Sequence, residues 1–307
     1  MVRLVRVWML LLGLSACPSA PSHGVPVYTP AEPDETDGPL PIERGPVEQP
    51  FLYQVEANVP SLILGTTNAG VALADTTIDG HALNNVRVVV VDMRIDEMTP
   101  RDLQRARMRN DSLETWIGTV AWRDLIEELL GVTTPDDLRA MRPWYAYGVL
   151  VGHRTRQIFE GDVPEPMSYS LTGLADEAGI PVRALETPAE RVTAMNAIPN
   201  DLLGEVLAHV IEHPTRHELH LRALCYKYRA GDEDALLAQL MTGLELETSR
   251  EVYERFYLRR FEGWLPVLRE ELDAGNAFIA LDIGHLLGPQ GMLETLRGLG
   301  YSIERVE

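Results

Sequence analysis

The chain is poor in positive charge: 27 Lys and Arg face 46 Asp and Glu in 307 residues, a formal net charge of −19. No continuous run of Lys and Arg follows residue 6, and neutralising the phosphates of a nucleic acid needs clustered positive charge, which argues against nucleic acid as a partner. Cysteine is scarce as well. Of the two, Cys17 and Cys225, the second lies at helical spacing with Leu221, Leu224 and Tyr228 and reads as a buried free thiol. If Cys17 is acylated, no intramolecular disulfide is left. A membrane-spanning run is also missing at the N-terminus, where the apolar stretch Val7 to Leu14 is too short to cross a bilayer stably. The 45% hydrophobic content still suffices for one large domain or two small ones.

What is present starts with an export signal. Arg3 and Arg6 precede the apolar stretch, and Ser15, Ala16 and Cys17 follow it. Leu14-Ser15-Ala16-Cys17 resembles the bacterial lipoprotein box, in which residues 1–16 are removed and the cysteine is acylated. An ordinary signal peptide with an accidental cysteine is the blander alternative. Acyl chains would anchor the protein rather than make it span, each buried methylene adding about 0.8 kcal/mol. Pro18 after the cysteine resembles lipoproteins sorted to the outer membrane of Gram-negative cells. Residues 18–50 hold nine prolines, with acids at 32, 34, 35, 37, 43 and 48. Such a stretch cannot bury enough apolar surface to fold, so residues 17–50 read as a disordered tether.

Folded structure is expected from Phe51. Phe51 to Val55 and Ser61 to Gly65 read as two strands about a turn, and Gly65-Thr66-Thr67-Asn68 leaves the second. Val86 and Val88 to Val91 form a β-branched run suited to a strand buried on both faces and closed by Asp92. Thr99 to Arg156 is helical in pattern, with Pro100 in a first turn and an apolar stripe of Trp122, Leu125, Ile126, Leu129 and Leu130. His153 is expected near a helix C-terminus, favoured by the helix dipole. Met167 to Gly179 predicts a further helix, and Ile180 to Thr187 a strand ending in Glu186. Asp201 to Met241 predicts two or three helices. His209, His213, His217 and His220 are spaced along it as on a solvated face, since Pro214 breaks the register a metal site would need. Glu251 to Glu271 predicts a helix carrying Arg259, Arg260 and Trp264.

The end of the chain is the most legible part. Ala277 to Leu281 is a short apolar run of strand length, Asp282 to His285 a polar break, Met292 to Leu299 a helix stopped at Gly300, and Tyr301 to Val306 a closing strand. Ligands of open α/β sheets sit at the carboxyl ends of strands, where Asp282 and His285 fall. The bland alternative is a capping Asp and a His bonded to a loop.

This C-terminal stretch resembles the signature of the TraB/GumN family, bacterial relatives of the Tiki proteases, and other landmarks of that family recur in order over residues 51–307. The resemblance implies one α/β domain with a central mixed sheet ringed by many helices. It also implies a metal-dependent hydrolase, peptidase-like, using two Gly-x-x-His motifs and acids. On this chain the motifs diverge. Asn68 stands where the family has histidine, Asp92 where it has Glu, Ser168 where it has Asp, Asp282 where the second motif has its first Gly, and Phe261 where an Arg-Asn-x-x-Trp motif has Asn.

The resemblance carries over to His285, Glu186 and, with a shortened side chain, Asp92. With Arg260, for which a structural salt bridge is the alternative, Glu186 and Asp92 are the catalytic candidates. His285, Asn68 as a poorer replacement for histidine, and the added carboxylate Asp282 are the candidate ligands of a divalent Mn, Co or Zn ion. Glu186 or Asp92 would act as general base on an ion-bound water, and Arg260 would pair a site carboxylate or hold a substrate oxyanion. The alternative is a catalytically degenerate member, a pseudoenzyme that binds peptide or an envelope component without hydrolysis.

Overall fold

The computed structural model describes residues 45–47, 49–68, 70–78, 80–242 and 247–306. The expected export signal, Cys17 and the expected tether up to residue 44 lie outside the described residues. Six short strands form one mixed sheet: β1 (Leu52–Val55), β2 (Ser61–Thr66), β3 (Val88–Val91), β4 (Val182–Ala184), β5 (Ala277–Asp282) and β6 (Ile303–Arg305), in the order β4-β3-β5-β2-β1-β6. The most apolar runs take the centre. All of β3 is buried, as is β5 up to Leu281, because a parallel strand covered on both faces must be apolar almost throughout. The two edge strands are three residues long, which leaves little unpaired backbone to template aggregation.

β2, β3, β4 and β5 run parallel, and β1 lies antiparallel between β2 and β6. Four strands therefore deliver their carboxyl ends to the same edge of the sheet. The register is close there: Thr66 pairs Asp282, and beyond β4 the ladder continues with Glu186 N donating to the Asp92 carbonyl at 3.0 Å.

Helices fill the two long crossovers. One carries Pro100–Arg105, Leu113–Glu128, Pro135–Arg139, Pro143–Ile158 and Met167–Ala178; the other carries Pro188–Ala197, Asn200–Glu212, Pro214–Ala230, Glu233–Thr242 and a helix from Glu247 to Ala274 with a π turn at Glu254–Leu258. Two apolar clusters result. One packs on the sheet around Phe51, Ile63 and Phe278; the other is helical, around Trp122, Trp144 and Leu207, and both reach Leu221 and Leu258. Each such large side chain contributes roughly 1.5–3 kcal/mol by leaving water. Buried Glu271 ties helix to sheet by accepting from Arg87 at 2.6 Å and from Arg183.

The expected strands and most helices are present, Thr99 caps its helix with Pro100 behind it, and Cys225 is a buried free thiol. Several expectations are corrected. Ordered packing starts before Phe51: Val47 is 2% exposed, its N–H donates to the Asp75 carbonyl at 2.6 Å, and Arg305 donates to the Gln49 carbonyl at 2.8 Å. Leu130 is 77% exposed, because its helix ends before it. His153 lies inside a helix that runs on to Ile158, and burial holds its pKa below the ordinary value. The histidines from 209 to 220 do not share a solvated face. His217 is buried 3.0 Å from Arg154, itself bidentate to Glu128, and His220 is 3.0 Å from Gln239. The polar break at Asp282 to His285 takes the form of a single helical turn, Ile283–Leu286, with Asp282 as its cap as the capping alternative had it.

Candidate functional site

Asp92 and Glu186 stand side by side because β3 and β4 end in register. Thr187 then closes a capping box with Glu190 and starts the helix Pro188–Ala197 behind Pro188. That start aims Arg191 back toward the strand ends, since helical side chains lean toward the N-terminus. Its Nη2 donates to Asp92 Oδ2 at 2.6 Å and its Nε donates to Glu186 Oε1.

Arg260 reaches the same carboxylate from the other side. Its Nη2 donates to Glu186 Oε1 at 2.6 Å and its Nε to Oε2 at 3.3 Å, while its guanidinium lies 4.5 Å from the Phe256 ring and 5.0 Å from the Trp264 ring. Glu186 is 7% exposed and Arg260 8%. The π turn sets this up, adding a residue to one turn just before Arg260; such turns recur at functional sites.

His285 sits against the same aromatic wall, with ring centroids 4.6 Å from Tyr257 and 4.7 Å from Trp264, and it is 2% exposed. Burial, then the Arg260 and Arg191 cations, hold its pKa well below the ordinary histidine value, against the pull of a hydrogen bond to the Tyr257 backbone. The ring is neutral at neutral pH. Its Nδ1 is buried with no hydrogen-bond partner among the described residues.

Half-buried Asp282 accepts from Gly284 N at 2.9 Å, and burial, reinforced by Asp92, pushes its pKa up to about 7 against the opposing influence of Gly284, Arg191 and Arg260. The Arg260 pKa is pushed down to about 10, by burial and by Arg191, so it stays charged. Burial opposes the Arg191 charge too, but Glu186 and Asp92 hold its pKa above the ordinary arginine value.

The close approach of β2 to the turn that carries His285 depends on Gly65. A Cβ there would clash with Ile283 Cδ1 and lie 3.3 Å from Leu286 Cδ1. The turn Ile283–Leu286 therefore rests directly on β2, and Tyr228 fixes the other side by donating its hydroxyl to the Gly65 carbonyl at 2.5 Å.

Of the residues singled out from sequence, Asp92, Glu186 and Arg260 share one ion-pair network, with Asp282 and His285 within its electrostatic reach. Asn68, two residues past Thr66 and half-buried, makes no hydrogen bond among the described residues to Asp92, Glu186, Asp282 or His285. Arg191 is the member that sequence reasoning missed. Its one signal was the Glu-Thr-Pro start of a helix, which places a side chain one turn in over the preceding acid.

A divalent ion needs oxygen or nitrogen donors free to face it. Here two carboxylates already face two guanidiniums, so the network is formally neutral and an added cation would meet Arg191 and Arg260. Among the described residues, no group of three or more His, Cys, Asp and Glu side chains is arranged to hold a metal ion. The residues present do not fit an ion at this site.

In comparisons with known proteins, a family model described as the TraB/PrgY/gumN family matches residues 52–305. No curated protein and no solved structure matches.

Proposed function

Since the chain belongs to the TraB/PrgY/gumN family, we propose that it keeps the strand-end site of that family in a form that binds a peptide or another envelope component without metal-dependent hydrolysis. The observation that carries this reading is the pairing of Glu186 and Asp92 with Arg191 and Arg260. A carboxylate hydrogen-bonded to two buried cations is a poor ligand and a poor base, and stripping a partner from a buried ion pair costs about 3–5 kcal/mol. What the site offers instead is hydrogen bonding: a neutral imidazole with a spare nitrogen, and a carboxyl that titrates near neutrality.

A second reading, the metal-dependent peptidase with Glu186 or Asp92 as base, is favoured by the buried, unpartnered Nδ1 of His285. It requires both arginines to release their acids. One assay separates the two. The full chain is incubated with a mixture of peptides labelled with a fluorophore and quencher, in the presence of Mn, Co or Zn, and both anisotropy and cleavage are followed. Saturable binding without turnover supports the binding reading. Turnover that is lost in His285→Ala overturns it.

The anchor belongs to the same proposal. The Leu14-Ser15-Ala16-Cys17 box supports an exported protein held by acyl chains on Cys17, in the outer membrane of a Gram-negative cell, with the Pro-rich segment as its tether.

A further inference from the structure

We propose a second ligand site, an oxyanion pocket for a phosphate-bearing small molecule, on the helical flank of the domain. A cavity of about 630 Å³ is lined there by Arg105, Arg107, Arg109 and Arg142 together with Asn200, and Asp111 is its only acid. The volume lies within the range of small-molecule sites, roughly 300–1,000 Å³. The charge is out of character for the chain: four guanidiniums less Asp111 and less the Asp137 carboxylate paired with Arg107 leave two positive charges in one hollow of a protein with a net charge of −19.

Three of these arginines, Arg105, Arg109 and Arg142, are not consumed by ion pairs among the described residues as Arg191 and Arg260 are. Arg107 meets Asp137 at 2.8 Å, but Arg105 and Arg109 make no ion pair among the described residues. Arg142 is half-buried; its Nη1 donates to Asn200 Oδ1 at 3.3 Å, while its Nε is buried with no hydrogen-bond partner. A buried guanidinium N–H without an acceptor is unfavourable by itself, and a ligand oxygen would satisfy it.

Two helices also begin at this lining. Arg142 is the cap residue of Pro143–Ile158 and Asn200 the first residue of Asn200–Glu212, and neither start has a side-chain cap. Their backbone N–H groups and dipoles add donors and positive potential. A surplus of two charges favours a multiply charged ligand over a monocarboxylate, and the guanidinium fork matches phosphate oxygens in pairs. The volume exceeds what a bare anion would fill, so the phosphate belongs to a larger molecule. The pocket borders the strand-end site through one helix. Asn196 donates to the Arg105 carbonyl and accepts from Trp144, five residues or about 7.5 Å along the helix from Arg191.

Calorimetric titration of the full chain in detergent tests this, with inorganic pyrophosphate as the probe and acetate at equal ionic strength as control. Pyrophosphate should bind at least about tenfold more tightly than acetate, and Arg109→Gln and Arg142→Gln should each weaken it about fivefold or more. Arg109 is exposed, so its variant should keep the wild-type unfolding transition and report binding alone. Equal affinity for pyrophosphate and acetate, or affinity unchanged in both variants, overturns the proposal. Displacement of pyrophosphate by phosphatidic acid vesicles, but not phosphatidylcholine vesicles, would assign the phosphate to a lipid headgroup; no displacement assigns it to a soluble compound.

Discussion

Arg191 shows how one side chain changes the chemistry of a site. With Arg260 it converts two strand-end acids from prospective ligands into halves of buried ion pairs. Arg191→Met leaves Glu186 and Asp92 under-compensated and should lower unfolding stability by about 3 kcal/mol or more, measured by urea denaturation. Adding Glu186→Gln should recover part of that loss, a coupling that a double-mutant cycle reads directly.

Asp282 supplies a pH signature of unusual sign. The fold keeps a proton on this carboxyl up to about pH 7, whereas the unfolded chain releases it near the ordinary value of 3.8. Its contribution to stability is therefore complete below that value and lost as pH rises through about 7. Buried His285, with a depressed pKa, works in the opposite sense, its contribution being lost as pH falls below about 6.5. Asp282→Asn keeps an oxygen for the Gly284 N–H, so the stability difference between wild type and variant should grow in the variant's favour from pH 4 to pH 7; a constant difference contradicts the assignment. Glu186 and His285 were readable from sequence because strand runs ended next to them. Arg191 was not, because its partners are fixed by how a helix is set on the sheet.

At the scale of elements, the strand-end geometry rests on Gly65. Gly65→Ala brings a methyl against Ile283 and Leu286 and should destabilise the fold by about 1–3 kcal/mol in denaturant titrations, with the turn Ile283–Leu286 displaced. β3 and β5 could be placed from sequence because runs such as Val88 to Val91 fit only a doubly covered strand. The π turn could not, since one extra residue in a turn scarcely disturbs an apolar pattern read over many. His153 and His217 were misplaced for a related reason: spacing gives a face of a helix, but the neighbouring helices decide whether that face is wet.

For the whole molecule, sheet order and parallel sense bring residues 92, 186, 282 and 285 together from distant parts of the chain. The α/β class followed from strand and helix runs, and the meeting of strand ends from the rule that parallel strands share an edge. Whether acids meeting there would face an ion or an arginine lies beyond any single-residue pattern. The proposed lipid anchor also belongs to this scale. Cys17→Ser should abolish labelling by a palmitate analogue and release the protein from the membrane fraction of a Gram-negative host, whereas unchanged fractionation would remove the lipid anchor.

Metal retention by the full chain tests the strand-end assignment most directly. The purified protein is dialysed with Mn, Co or Zn, then against metal-free buffer, and its content is read by elemental mass spectrometry. If Arg191 and Arg260 already neutralise Asp92 and Glu186, wild type retains only a small fraction of one equivalent and His285→Ala retains no less. About one equivalent per chain, lost in His285→Ala, would mean that the acids and the imidazole hold an ion after all.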